Sequence, residues 1–179
     1  FKTGRETSPQ EILKRTNTIL PKDIAIIDVE EVDSSFHARK SARSRLYEYY
    51  VFTRESPSPF FSRFSFHFPY QLSLEKMKEA SLLFKGKHDF SAFTTTQEVR
   101  NPEREIYHIS VEKRGDFIVL SFHANSFLHN MIRNLVSSLL KVGRGEVSKK
   151  ELKDILESRE RGVIEPVPSK GLFLVKVFY

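Results

Sequence analysis

The chain has 179 residues, 39% of them hydrophobic and 29% charged, enough for one sizeable core or two small lobes. Twenty-nine Lys and Arg against 23 Asp and Glu leave a formal charge of +6, which favours a polyanionic partner. The lack of Cys excludes a disulfide framework and thiolate metal sites and fits a reducing cytoplasm, the His residues show no metal-ligand spacing, and no apolar run reaches membrane-spanning length.

Ser8-Pro9-Gln10-Glu11 has the form of a capping box with Pro at the first helical position, and Ile12, Thr16 and Ile19 extend it into a short amphipathic helix. Residues 23–32 (DIAIIDVEEV) read as a strand. Residues 36–52 (FHARKSARSRLYEYYVF) then place Arg39, Lys40, Arg43 and Arg45 within seven positions, with no acid among them. A strand over 44–52 puts Arg45, Tyr47 and Tyr49 on one face. Leu46, Tyr50 and Phe52 point the other way, and Glu48 interrupts that apolar side. Arginines beside aromatics can hold phosphates and stack bases, but the same pattern describes a half-buried strand with a solvated basic side.

The Phe-rich run 60–68 reads as an aromatic strand walling a core. Ser73 caps a helix to Phe84 whose buried stripe is Leu74, Met77, Ala80 and Leu83-Phe84. His88-Asp89 invites an acid–base reading, but adjacent residues rarely converge on one substrate atom, and Asp89 suits a turn equally well. A polar loop over 94–104 carries Arg100 and Arg104, and a hairpin follows across 113–116 with Gly115 in its turn. In residues 126–143 (SFLHNMIRNLVSSLLKVG) the apolar positions repeat every four, predicting a long helix capped by Ser126 and closed by Gly143. His129, Arg133 and Ser137 fall on its remaining face. That stripe fits either a solvated outer surface or the delivery of charge to a cleft. A charged helix over 148–159, a Pro-rich loop over 165–170 and a strand over 171–179 complete the chain. The order predicts an α+β fold, a mostly antiparallel mixed sheet with helices packed on one face.

Five of these stretches together resemble the tRNA pseudouridine synthase A family: FHAR at 36–39, RLYEY at 45–49, HDFSAF at 88–93, FLHNMIRN at 127–134 and GLFLVKV at 171–177. Asn17, Leu20-Pro21 and Asp23-Ile24 resemble an earlier segment of the same family. The resemblance implies isomerisation of uridine to pseudouridine in the tRNA anticodon arm without cofactor or metal, by a cytoplasmic homodimer with two α/β lobes around a basic cleft. Residues 1–35 would then be the remnant of the N-terminal lobe and connector, and 36–179 the C-terminal catalytic lobe of a partial pseudouridine synthase fold. The family's nucleophilic aspartate belongs to a GRTDxGVHA-type motif ahead of Phe1. A chain opening on Phe1 is expected to be part of a longer or processed protein, and inactive alone.

Three positions carry family roles across: Tyr47 stacks on the target base and aids proton transfer, Arg133 pairs with the aspartate, and Leu172 packs against the base pocket. Each role has a physical basis. A fixed guanidinium lowers a carboxylate's pKa by about 1–3 units. A base that must detach and turn needs a dry, stacked pocket and must first leave the helix stack. Arg39, Lys40, Arg43, Arg100 and Arg104 are the candidates for gripping phosphates. The alternative is a non-catalytic RNA-binding module with the same sheet and basic groove.

Overall fold

Residues 4, 7–96, 100–160 and 164–179 are described by the structure, a computed structural model; residues 97–99 of the polar loop expected over 94–104 lie outside them. The chain divides into two units, 1–41 and 42–179. In the first, helix α1 (Pro9–Ile19) starts as its sequence dictates, with the Ser8 hydroxyl accepting from the Glu11 N–H at 3.2 Å and Pro9 in the first turn. Glu11 pairs with Arg15 one turn on at 2.5 Å. The strand expected over 23–32 does not form. A strand needs a ladder partner. Here the Asn17 carboxamide supplies a single rung, bonding both the N–H and the C=O of Ile26 at 2.8 Å. Residues 36–41 fold into a turn in which the His37 Nδ1 accepts from the N–H groups of Arg39 and Lys40.

The second unit is built on strand β1 (Ser44–Phe52). Strand β5 (Phe117–Ala124) runs antiparallel along one edge of β1. On the other edge β6 (Leu172–Phe178) pairs antiparallel with Ser44–Tyr49, and the short β2 (Phe66–His67) pairs parallel with Val51 and Phe52. Strand β4 (Glu103–Arg114), which leads into β5 through a two-residue turn, pairs along the far edge of β5, and β3 (Gly86–Asp89) ends the order β2-β1-β5-β4-β3. The β1–β6 ladder carries a bulge: Leu46 faces Lys176, but Tyr47 faces Leu174, so Val175 is the extra residue. The expected aromatic strand shrinks to Phe66 and His67. Phe66 and Phe68 pack on the core, Phe61 lies against Phe52 and Phe117, and Phe60 and Phe64 are exposed.

Helices α2 (Leu74–Ser81), α3 (Met131–Arg144) and α4 (Lys149–Ser158) supply the core's helical side. Met77, Leu135, Leu139 and Leu152 join Tyr49, Val51, Leu120 and Phe122 of the sheet in one cluster. Helix α3 departs from its expected bounds at both ends. Asn130 sits in the left-handed region at φ 58°, so the helix begins at Met131 rather than behind Ser126. It ends with Gly145 in that same conformation, leaving Gly143 inside the helix, where an added Cβ would lie 2.8 Å from the Met77 sulfur. On the expected polar face His129 is exposed, Arg133 half-buried and Ser137 buried, so the stripe is not solvated along its length.

Candidate active site

Arg133 lies in the first turn of α3, half-buried, and its guanidinium is held by uncharged acceptors. Its Nε donates to the Val167 carbonyl at 2.5 Å and its Nη1 to Oδ1 of Asn130 at 2.8 Å. Among the described residues no carboxylate pairs with it. The next carbonyl, that of Pro168, accepts from the Tyr49 hydroxyl at 2.6 Å. Burial pushes the Tyr49 phenol well above its ordinary pKa, with the Arg133 charge opposing, so it stays a neutral donor. Two successive carbonyls of the Pro-rich loop are thus fixed, one by Arg133 and one by Tyr49.

The start of α3 is pinned from the side by the segment that begins HDFSAF. Asn134 donates to the Phe93 carbonyl at 2.9 Å, Thr94 Oγ1 to the His129 carbonyl at 3.0 Å, and Asn130 Nδ2 to Thr95 Oγ1 at 2.9 Å. Burial leaves little freedom here, since Phe93 and Asn134 are almost wholly enclosed. Phe93, at the end of the HDFSAF motif, and the two threonines after it therefore act as a bracket for the helix that carries Arg133. His88 and Asp89 do not converge. The His88 ring bonds the Lys85 carbonyl at 2.9 Å, while Asp89 caps the Ser91 N–H at 2.8 Å and lies 3.4 Å from Arg159.

Tyr47 shares the helix-side face of β1 with Tyr49. It is half-buried and packs edge-on to Phe127 with ring centroids 5.4 Å apart. Leu172 stands directly opposite Tyr49 across the β1–β6 ladder, and Leu174 opposite Tyr47. Tyr49 thus links the three positions: Leu172 is its ladder partner, Tyr47 lies two residues along the same strand face, and Arg133 holds the carbonyl next to the one Tyr49 holds. This makes an apolar, aromatic wall beside a fixed positive charge. The preceding Gly171 allows the close approach, because an added Cβ would come within 2.8 Å of the Tyr50 carbonyl oxygen and 2.9 Å of the Tyr49 ring. Neither is the flexible end of a side chain. Gly171→Ala is expected to destabilise the protein by about 1–3 kcal/mol. Thermal unfolding followed by circular dichroism checks this, and an unchanged midpoint would show that β1 and β6 can separate at no cost.

Of the five basic residues expected to meet phosphates, Arg43 and Arg100 are exposed on the second unit and Arg39 and Lys40 on the first. Arg104 is different. It is half-buried, its Nη1 donates to the carbonyls of Asn101 and Glu103 at 2.8 and 2.6 Å, and burial pushes its guanidinium below the ordinary pKa. Sequence reasoning missed Tyr49 as the hub, Asn130 and Phe127 as neighbours, and the Val167 and Pro168 carbonyls as acceptors. Asn130 alone left a trace, since Asn is one of the few residues that enter the left-handed region readily. Among the described residues no cluster of His, Asp and Glu could hold a metal, and no helix is long and apolar enough to cross a membrane.

Residues 80–179 match a family model described as tRNA pseudouridine synthase. Curated relatives named tRNA pseudouridine synthase A extend the similarity to the whole chain. That of Thermoanaerobacter sp. (strain X514) is 36% identical over 183 residues, covering 100% of this chain and 74% of the relative. That of Clostridium kluyveri is 39% identical over 181 residues with the same coverage, and that of Bacillus pumilus 40% over 165 residues, 91% of this chain and 67% of the relative.

Proposed function

With the premise that this chain belongs to the tRNA pseudouridine synthase family, we propose that it forms the base pocket and the charge-pairing half of an active site isomerising uridine in the tRNA anticodon arm. The observation that carries this reading is Arg133, a fixed guanidinium with only neutral partners among the described residues, near the wall of Tyr47 and Leu172. A carboxylate brought to that guanidinium would be held ionised at neutral pH, as glycosidic cleavage requires. The reaction breaks the bond from the ribose C1′ to N1 of uracil and forms one to C5. The C5 proton is lost and N1 gains one, so no oxidant or cofactor enters.

In this reading Tyr47 lies against the flipped uracil and its phenol, close to the base, shuttles the proton. Leu172 closes the pocket from β6 and keeps water from the detached base. Arg133 meets the nucleophilic aspartate, which is supplied by residues ahead of Phe1. Residues 1–35 are the remainder of the lobe that carries it, and 36–179 the catalytic lobe. Arg39, Lys40, Arg43 and Arg100 contact the flanking phosphates, while Arg104 contributes chiefly by shaping its own loop. The enzyme works as a cytoplasmic homodimer on tRNA.

The test is to assay the 179 residues alone and then joined to the upstream segment bearing the aspartate. Release of tritium from tRNA labelled at uracil C5 reports the reaction. No product is expected from the 179 residues, and multiple turnovers from the extended protein. Turnover by the 179 residues alone would refute the proposed division of the site. Salt-sensitive tRNA binding with no product from the extended protein would favour the non-catalytic module instead.

A further inference from the structure

Among the described residues Arg133 is held only by groups that carry no charge, and one of them occupies an unusual backbone position. Asn130 precedes α3 at φ 58° yet its side chain caps no backbone N–H of the helix. A residue before a helix ordinarily uses its side chain on the exposed N–H groups of the first turn. Here the carboxamide is turned elsewhere, with Oδ1 accepting from Arg133 Nη1 and Nδ2 donating to Thr95 Oγ1. The left-handed conformation ends the segment before the helix, and the amide joins the guanidinium to the bracket formed by residues 94 and 95.

An amide and a carboxylate at this position would have nearly the same shape and would both accept from Arg133. They differ in what they leave over. A neutral acceptor fixes the guanidinium and preserves its full charge for a second, anionic partner. A carboxylate would fix it as well or better, but would largely neutralise it and so weaken its attraction for the incoming anion. The Val167 carbonyl follows the same rule, being a strong acceptor with no net charge.

We infer that Asn130 is a positioning residue for the isomerisation, setting the direction of Arg133 through an amide that must stay uncharged. This rests on the assignment of Arg133 as partner of the nucleophile. Asn130 touches neither base nor sugar in this scheme and acts through Arg133 alone. Misdirecting a charge by about 1 Å can cost roughly a hundredfold in rate.

The experiment compares Asn130→Gly, Asn130→Asp and Arg133→Ala in the protein extended to include the aspartate segment. Glycine removes the amide while accepting the left-handed backbone without strain. For each variant the single-turnover rate at saturating enzyme, the tRNA Kd and the thermal midpoint are measured. Asn130→Gly is expected to slow single turnover about 10- to 100-fold with Kd within about threefold. Asn130→Asp is expected to be slower still, with a midpoint equal to or above the parent's. A purely structural role predicts the reverse order, since Asp keeps the shape and the acceptor that Gly lacks. Asn130→Asp at or near the parent's rate would overturn the inference. Should Arg133→Ala itself retain the parent's rate, the assignment of Arg133 fails, and the role inferred for Asn130 fails with it. Parental rates for both Asn130 variants beside an inactive Arg133→Ala would sink the Asn130 inference alone.

Discussion

Arg133→Ala in the extended protein is expected to lower the single-turnover rate of pseudouridine formation by about 10²–10³-fold, with tRNA affinity changed no more than about threefold. That is the range seen when one preorganised electrostatic group is removed from a site. The geometry supports a loss at the chemical step rather than in binding. The guanidinium is half-buried and tied at two points, so it is already oriented before any substrate arrives. Arg133→Lys is expected to recover little. One ammonium cannot reproduce the planar fork that meets the Val167 carbonyl and the Asn130 amide in different directions. Truncation to Ala also leaves the Val167 carbonyl without this donor, at a cost of about 1–3 kcal/mol. Rates must therefore be read well below the variant's melting temperature. A variant that melts normally and turns over within tenfold of the parent would remove Arg133 from the chemistry.

Phe93→Ala is expected to destabilise the protein by about 3–5 kcal/mol. The ring is fully enclosed, edge-on to Phe84 at 5.2 Å and in contact with Phe90. Its backbone carbonyl takes the Asn134 amide, so the cavity would open under the bracket that holds α3. For a domain of this size each kcal/mol corresponds to about 2–4 °C, giving a fall near 10 °C in the thermal midpoint. Such a loss is a large part of the 5–15 kcal/mol typical of native proteins. Phe93→Leu, which keeps most of the volume, is expected to cost much less. A drop under about 3 °C for Phe93→Ala would mean that the neighbouring rings collapse into the space and the motif is held by its backbone alone.

Local signals in the sequence reached most of the elements. Ser8-Pro9 and Ser148 through Glu151 are caps whose chemistry is complete within four residues, and α1 and α4 begin where those caps stand. The β4–β5 hairpin turns where Gly115 permits it. Failures occurred where a distant partner decides. DIAIIDVEEV has the composition of a strand but finds only the Asn17 side chain to pair with. Helix α3 has the right period from residue 126, yet one Asn in the left-handed region cancels its first turn. In the proposed site, Tyr47, Arg133 and Leu172 are visible because each sits in a recognisable motif. The groups that hold them are not, because Pro168 lies 119 residues from the tyrosine it fixes. A backbone carbonyl also leaves no signature in the residue type.

The extra residue in β6 sets the phase of that strand. On the Phe178 side of Val175, the pairing follows one count of odd and even positions, and on the Leu172 side the count is shifted by one. If the ladder continued without the shift, Phe173 would stand opposite Tyr49, and Leu172 would fall on the far side of the sheet. The choice between leucine and phenylalanine beside the tyrosines is therefore made three residues away, by length rather than by composition. Phe173 instead meets Tyr50 on the other face, with ring centroids 5.4 Å apart. Deleting Val175 would therefore leave each remaining residue its present partner, with Lys176 still opposite Leu46 and Leu174 still opposite Tyr47, whereas flattening the bulge with Val175 in place would act as a frameshift acts on a message, changing what residues 172–174 face.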